Sequence, residues 1–374
     1  MLIVHTESAT LGGEAYRLIE ETRYVNENTS HRAVIVGPAG SDFEEVALRS
    51  GVPFIGFRFR QFDYHPFSFI EAIKLLRKIS PHIVHTHHSS DAWVFGIASR
   101  LLGIPVVRGR HISLPFKRSF FKNIVYTHLA DAFTVSCSSI KKEMLEIGIA
   151  KEEEIFITPA GVNLERFNLE KVDRFYLRNE LGLEKSDFLI GTACFLRSWK
   201  GVDTLMESFK ILMERFKDNK FHLVIAGKGT DRLRDTDIYR RYSKNIHILG
   251  HRDDVEHVIG GLNIFVLASK KSEGVPQVIP QAMALKVPCI GTAIGGIPDV
   301  IKDGATGWLI RPDAPDELAD KIWYVYNLSR EDLNSIIERA YHMIHDEYTV
   351  KRTVEKYFMA YELAMLKKKG GSKK

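Results

Sequence analysis

The stretch SEGVPQVIPQAMALKVPCIGTAIGGIPDVIKDGATGWLI, residues 272 to 310, reads as two consecutive strand-loop-helix units. In the first, the apolar run Ile264-Phe265-Val266-Leu267 ends in a polar loop, and Gly274 and Pro276 then open a helix carrying Val278, Ile279, Ala282, Met283 and Leu285. Proline suits a first helical turn, where its missing N–H would have had no partner. The amides of that turn, from Gly274 through Val275 to Gln277, and the positive helix end make an anion site of the kind a diphosphate occupies. Glu273 stands just before it. A carboxylate beside phosphates is unfavourable unless it serves hydroxyls, which it accepts in charge-assisted hydrogen bonds. The pattern therefore points to a sugar or ribose next to a diphosphate. In the second unit Gly295 and Gly296 precede another helix, which lets backbone approach a ligand or simply makes a tight turn.

Outward from this stretch, strands and helices alternate twice. Residues 1 to about 164 hold strand runs at LIVH, AVIVG, HIVHTH, PVVRGR, AFTVS and EIFITPAG, with helical patterns near 13–26, 68–79, 90–102 and 138–147. A charged segment leads to a second series, FLIGTACF, a helix over 201–216, FHLVIAG, NIHILG and NIFVLAS, before the two units above. Alternation of this kind predicts parallel sheets covered by helices on both faces, an α/β class with two Rossmann-like domains. We expect the domains at 1–164 and 165–348, a final helix over 349–367 and a frayed basic tail at 368–374.

The run E-G-x-P-x-x-x-x-x-A-M-A, carried by Glu273, Gly274, Pro276, Ala282, Met283 and Ala284, resembles the signature of family-4 glycosyltransferases, retaining enzymes of GT-B fold. Their motif has a second Glu eight residues after the first; here Gln281 stands there, a neutral group that bonds ribose hydroxyls more weakly. Asp299 similarly replaces a Glu after the glycine pair. The resemblance implies two domains facing across a cleft and a last helix that crosses back to the first. It also implies that Glu273 contacts donor-sugar hydroxyls and that Lys200, in a Lys-Gly pair after a strand, contacts the diphosphate. The family's Arg partner falls at Phe195, and Arg197, two residues on, faces the same side if the chain stays extended and so replaces the missing cation. The loop AGKGTD with Gly227, and Arg252 in ILGHRDD, fall near the nucleobase in the family; on their own they read as a common glycine pattern and a solvated loop arginine. Gly12 and Gly13, between first strand and first helix, match the loop that faces the donor diphosphate. His111 falls where the family places a His beside the donor sugar.

His85 and His87 share one face of a strand, but two imidazoles without a third ligand rarely make a metal site, and the reading is a polar strand end lining the cleft. The family's catalysis needs no bound metal, so no cofactor is expected beyond a nucleotide-diphosphate sugar as co-substrate. Two aromatic and basic segments bear on the acceptor. One carries Phe57, Phe59, Phe62, Tyr64, Phe67 and Phe69 around Arg58 and Arg60; the other carries Phe116, Lys117, Arg118, Phe120, Phe121 and Lys122. Aromatics stack on sugars, and the mixture suits an anionic membrane surface, against the plainer reading that most are core. A lipid-linked glycan or lipopolysaccharide-type acceptor would fit.

Composition sets the outer limits. A net charge of +5 on 374 residues gives no argument for nucleic acid. Cys137, Cys194 and Cys289 are too few and too scattered for a disulfide or zinc framework, and the N-terminal MLIV enters a strand directly. A cytoplasmic protein, working at the inner face of the membrane, is the expectation. Three rivals stay open: a GT-B sugar-nucleotide epimerase, which needs no acceptor; a nicotinamide oxidoreductase, which lacks its three-glycine loop here; and a non-catalytic sugar-nucleotide-binding protein, which Phe195 and Gln281 support.

Overall fold

The computed structural model describes every residue except 61–64, 113–115, 117–119, 218–219, 272 and 372–374. The chain divides into two compact units, Met1–Gly161 with Val350–Lys374, and Val162–Thr349. The second unit thus starts at Val162 rather than 165, because Val162 bridges to Thr349 and donates its N–H to Tyr348 O. The closing helix runs Val350–Gly371, so residues 368–371 are helical where a frayed tail was expected.

The first unit contains a seven-stranded, wholly parallel sheet. Its strands are β1 (Leu2–Thr6), β2 (Arg32–Pro38), β3 (Phe54–Phe57), β4 (Ile83–Thr86), β5 (Val106–Arg110), β6 (Ala132–Val135) and β7 (Ile155–Ile157), in the order β3-β2-β1-β4-β5-β6-β7. The sequence reading missed β3 and the helices Asp42–Arg49 and Phe120–Thr127. Strand β3 has only four residues and lies at the sheet edge, too short for a periodic signal. The helix Val350–Gly371 belongs to this unit. Val354, Tyr357, Tyr361 and Ala364 recur at helical spacing and pack with Ile3, Ile83, Val107 and Ala132 of the sheet. The opposite face packs Val4, Val36 and Val84 against Leu76, Val94 and Phe95.

The second unit repeats the plan with β8 (Phe188–Ala193), β9 (Phe221–Ala226), β10 (Ile246–Gly250), β11 (Ile264–Leu267), β12 (Cys289–Thr292) and β13 (Trp308–Ile310), all parallel in the order β10-β9-β8-β11-β12-β13. Phe209, Leu212, Leu223, Ile264 and Leu318 centre its core. In both sheets the order reverses once, at β1/β4 and at β8/β11, and parallel sheets bind ligands beyond the carboxyl ends of strands at such points.

Candidate functional site

Lys200 follows β8 and Glu273 follows β11, the two strands paired at the reversal of the second sheet. Their side chains meet: Lys200 Nζ lies 2.6 Å from Glu273 Oε1 in a largely buried ion pair. Ser269 Oγ donates to the same oxygen at 2.7 Å. Thr292 at the end of β12 in turn donates to Ser269 O at 2.6 Å. Ser269 and Thr292 were not singled out from the sequence, since nothing local distinguishes a serine that holds a carboxylate from one that ends a strand.

Glycines bring these elements together. Gly201 has φ +64°, and a Cβ there would sit 1.7 Å from Ala268 O, so only glycine lets the turn after Lys200 lie on the end of β11. Gly295 has φ +54°, and a Cβ would sit 2.0 Å from Glu273 O. The Gly296 N–H donates to that same carbonyl at 3.2 Å. The pair at 295–296 is therefore a backbone clamp on Glu273. Of the amides expected to face a ligand, those of Gly296 and Ile297 are already used, the latter on Ile294 O.

Other expectations change. The helix after Glu273 begins at Val278, not at Gly274 or Pro276, and has seven residues. Gly274 lies in a bend, Val275 and Pro276 are buried, and Gln277 is the cap residue in helical conformation. Ile279 N–H and Gln281 N–H turn back to Pro276 O and Gln277 O, while Gln281 is half-buried on this helix. Arg197, read as replacing the cation missing at Phe195, is exposed and extended, 6.0 Å from the Trp199 ring, just before a short 3-10 helix over Ser198–Lys200. Arg252 is engaged by carboxylates. Its guanidinium grips Glu180 at 2.6 and 2.9 Å and Asp254 at 2.7 and 2.8 Å. Gly227 has φ +134° and would drive a Cβ to 1.8 Å from Cys194 O, so glycine there lets the loop after β9 lie against the chain leaving β8.

The first unit holds a second polar cluster. His111, just past β5, is 2.9 Å through Nε2 from His87 Nδ1 and also from Glu14 Oε1, while its Nδ1 faces Arg17 Nη1 at 3.1 Å. His87 Nε2 continues to His5 Nδ1 at 3.0 Å. His85 bonds Tyr361 OH and Thr134 Oγ1, each at 2.9 Å. Where a cleft-lining strand end was expected, His5, His85 and His87 are buried between β1, β4 and the closing helix. Burial lowers the pKa of His5 to about 3, aided by the charge of Arg17, and burial drives His85 and His87 well below the ordinary histidine value. Glu14 follows the loop of Gly12 and Gly13. Burial alone would raise its carboxyl pKa, but His111 and Arg17 outweigh it and hold the group below its usual value. Gly12 caps this helix in extended conformation, and a Cβ there would meet only Thr10 O at 3.9 Å, so the fold itself does not require glycine at that position.

The sequence reading lacked a third ligand beside His85 and His87; His5 supplies a third imidazole, the ligand atoms lying within 4.8 Å of one another. It also missed Arg17 and Glu21, which look like an ordinary exposed helical pair four residues apart but are buried. Of the aromatic segments, Phe57 is buried and Phe59 and Phe69 pack on the core; Phe67 is exposed. Phe116 lies under the Arg110 guanidinium at 3.6 Å. Phe62, Tyr64, Lys117 and Arg118, and the side chains of Phe120, Phe121 and Lys122, lie outside the described residues. No described helix is long and apolar enough to cross a membrane.

Comparison with known proteins agrees with this geometry. The model for glycosyl transferases group 1 matches residues 173–343, and that for glycosyltransferase family 4 matches residues 12–166. A UDP-Gal:alpha-D-GlcNAc-diphosphoundecaprenol alpha-1,3-galactosyltransferase of Escherichia coli is 28% identical over 305 residues, 77% of each chain. Among solved structures, a glycosyltransferase from Rickettsia africae superposes with a TM-score of 0.86 at 21% identity, covering 97% of this chain and 98% of that one. Anabaena HepE in complex with UDP-glucose does so with a TM-score of 0.82 at 18% identity, covering 97% and 99%.

Proposed function

We propose that this chain of GT-B fold is a family-4 glycosyltransferase that moves a sugar from a nucleotide diphosphate to a hydroxyl of a glycan or lipid-linked acceptor, with retention of anomeric configuration. One observation carries the reading: Lys200 and Glu273, 2.6 Å apart, stand beyond the carboxyl ends of the two strands at the reversal of the second sheet. That is a cation for a leaving diphosphate beside a carboxylate for sugar hydroxyls.

In this reading the donor binds the second unit and replaces one strong pair by two. Lys200 leaves Glu273 for the diphosphate, where it opposes the negative charge that grows as the glycosidic C–O bond breaks. Glu273, still held by Ser269 and by the clamp at Gly295 and Gly296, accepts hydroxyls of the sugar. The acceptor oxygen bonds to the anomeric carbon on the face the diphosphate leaves, and its proton ends on the departing diphosphate. Lys200 supplies the leaving-group cation, so the scheme calls for no metal. A nucleotide carrying uridine is the donor class to try first, since the Escherichia coli relative is named for UDP-Gal and Anabaena HepE binds UDP-glucose. The same relative acts on a diphosphoundecaprenol-linked sugar, which supports a lipid-linked acceptor.

A thermal-shift series with UDP, GDP, ADP and their sugar conjugates tests the donor site, since a ligand at about 100 times its Kd stabilises the folded state by about 2.7 kcal/mol. The expected result is one nucleotide that raises Tm in the parent and not in a folded Lys200→Met variant. Transfer of that sugar to a lipid-linked glycan, still present with EDTA, completes the test. No shift with any nucleotide at millimolar concentration would overturn the reading.

A further inference from the structure

Two kinds of chemistry compete for the imidazoles of the first unit. His5, His85 and His87, or Glu14, His87 and His111, present ligand atoms within 4.8 Å of one another and invite a metal ion. The hydrogen-bond partners argue for something else. A guanidinium only donates, so His111 Nδ1, 3.1 Å from Arg17 Nη1, must carry a lone pair. The ring proton of His111 is then on Nε2 and points to His87 Nδ1 at 2.9 Å. His87 consequently holds its own proton on Nε2 and donates to His5 Nδ1 at 3.0 Å, which leaves the His5 proton on Nε2. A metal on Glu14, His87 and His111 would compete with the contact of His111 Nε2 and His87 Nδ1, and one on His5, His85 and His87 with that of His87 Nε2 and His5 Nδ1; each contact has one proton and one lone pair already committed. His85 is occupied on both nitrogens by Tyr361 and Thr134.

Arg17 is itself fixed on every side. Its Nε donates to Glu21 at 2.7 Å, and its Nη2 donates to Thr158 O at 2.8 Å and to Tyr357 OH at 2.5 Å. The Tyr357 hydroxyl closes the ring onto Glu21 at 2.9 Å, which brings the closing helix into the arrangement. Gly109 on β5 makes room for the chain, since a Cβ there would lie 2.7 Å from His111 Nε2 and 3.0 Å from His87 Nδ1. Glu14 Oε1 is near the same His111 nitrogen, at 2.9 Å, but that nitrogen's single proton is aimed at His87 and the oxygen has no hydrogen-bond donor of its own.

We propose that Arg17 is a positioning residue: it fixes the tautomers of His111, His87 and His5 in series, and so leaves the Glu14 carboxylate oxygen open to accept a substrate hydroxyl. The first half is a property of the folded chain alone; the second rests on the transfer reaction proposed above. The relay has a direction, from the donor-only guanidinium inward, and this makes it testable.

The experiment is long-range imidazole nitrogen spectroscopy on the full-length, nitrogen-15-labelled protein without ligand. His111, His87 and His5 should each show a protonated Nε2 and a lone-pair Nδ1. In His87→Ala, His111 keeps that pattern while His5 loses it and shows mixed tautomers. In Arg17→Met with Glu21→Gln, which removes the guanidinium without stranding a buried carboxylate, His111 also becomes mixed. A protonated Nδ1 on wild-type His111, or no change at His111 without Arg17, overturns the relay. Zinc added at equimolar concentration should leave the three spectra unchanged; loss of the Nε2 proton signals on addition would assign the cluster to metal instead. For the second half, Glu14→Gln should raise the KM for donor or acceptor about tenfold with the wild-type tautomer pattern intact, since a neutral amide is a weaker acceptor for a hydroxyl. An unchanged KM for both substrates removes Glu14 from binding. An enzyme inactive with every donor, yet with the directional tautomer pattern, would leave the relay standing and sink only the transferase reading.

Discussion

The two units share one plan, a parallel sheet whose order reverses once, yet they build polar sites at that reversal in opposite ways. The second unit uses two charged side chains, Lys200 and Glu273, and lets glycine backbones at 201 and 295 press the supporting loops together. The first unit uses side chains throughout: Glu14, Arg17, His87, His111 and Tyr357 reach one another from two helices and the ends of two strands. A backbone clamp is made by close approach, so a single added methyl breaks it. A side-chain network is made by hydrogen bonds in a buried setting, so its weakness is unsatisfied polarity and charge.

The comparison is broken most severely at Gly295. Gly295→Ala forces a methyl to 2.0 Å from Glu273 O at a positive φ, and the carbonyl must move. Displacement of a substrate-binding group by about 1 Å costs about 100-fold in rate, so kcat/KM should fall at least that far while the imidazole spectra of the first unit stay as they were. Lys200→Met comes next, with a loss of about 100-fold in kcat if the ammonium opposes charge on the leaving group, read by steady-state transfer kinetics.

A smaller effect sharpens the other side. The pKa of His5 is held near 3 in the folded chain against 6.5 when exposed, so the unfolded state takes up its proton first as pH falls. The stability His5 contributes is therefore intact above about pH 6.5 and is lost progressively below it, down to its folded value. Replacing it by Gln removes that dependence. Relative to His5→Gln, the wild type should lose up to about 1.4 kcal/mol per pH unit between pH 6.5 and 3, measured by urea unfolding. Equal pH slopes for the two proteins would mean that His5 is not buried neutral. Smallest of all in stability is Gly12→Ala, whose methyl meets only Thr10 O at 3.9 Å. Unfolding free energy should change by less than about 0.5 kcal/mol, and a rise in the KM for either substrate would then report a ligand rather than the fold.

The site in the second unit was largely legible because its residues lie in short motifs next to strand ends, Lys-Gly after one and Glu-Gly-x-Pro after another. What escaped notice there was support rather than chemistry: Ser269 bonding the carboxylate and Thr292 bonding Ser269 in turn, Gly227 letting its loop lie against Cys194, and Arg252 gripping Glu180. For Arg197 the sequence could not say that the chain, still extended at that residue, enters a 3-10 helix immediately after it. In the first unit His111 was visible, but Arg17 and Glu21 read as a surface pair, and Tyr357 lies 340 residues from Arg17 along the chain.

The sequence by itself determined the two alternating α/β units, their parallel sheets and the identity of Lys200 and Glu273, because hydrophobic period and strand-end motifs are local signals. Tertiary structure alone decided that Lys200 and Glu273 hold each other, that glycines 295 and 296 clamp the carboxylate's backbone, and which nitrogen of His111 carries the proton. The physical reason is the same in each case. A hydrogen bond or a steric contact depends on distances of a few tenths of an ångström between residues far apart in the chain, and no period or motif in the sequence encodes those distances.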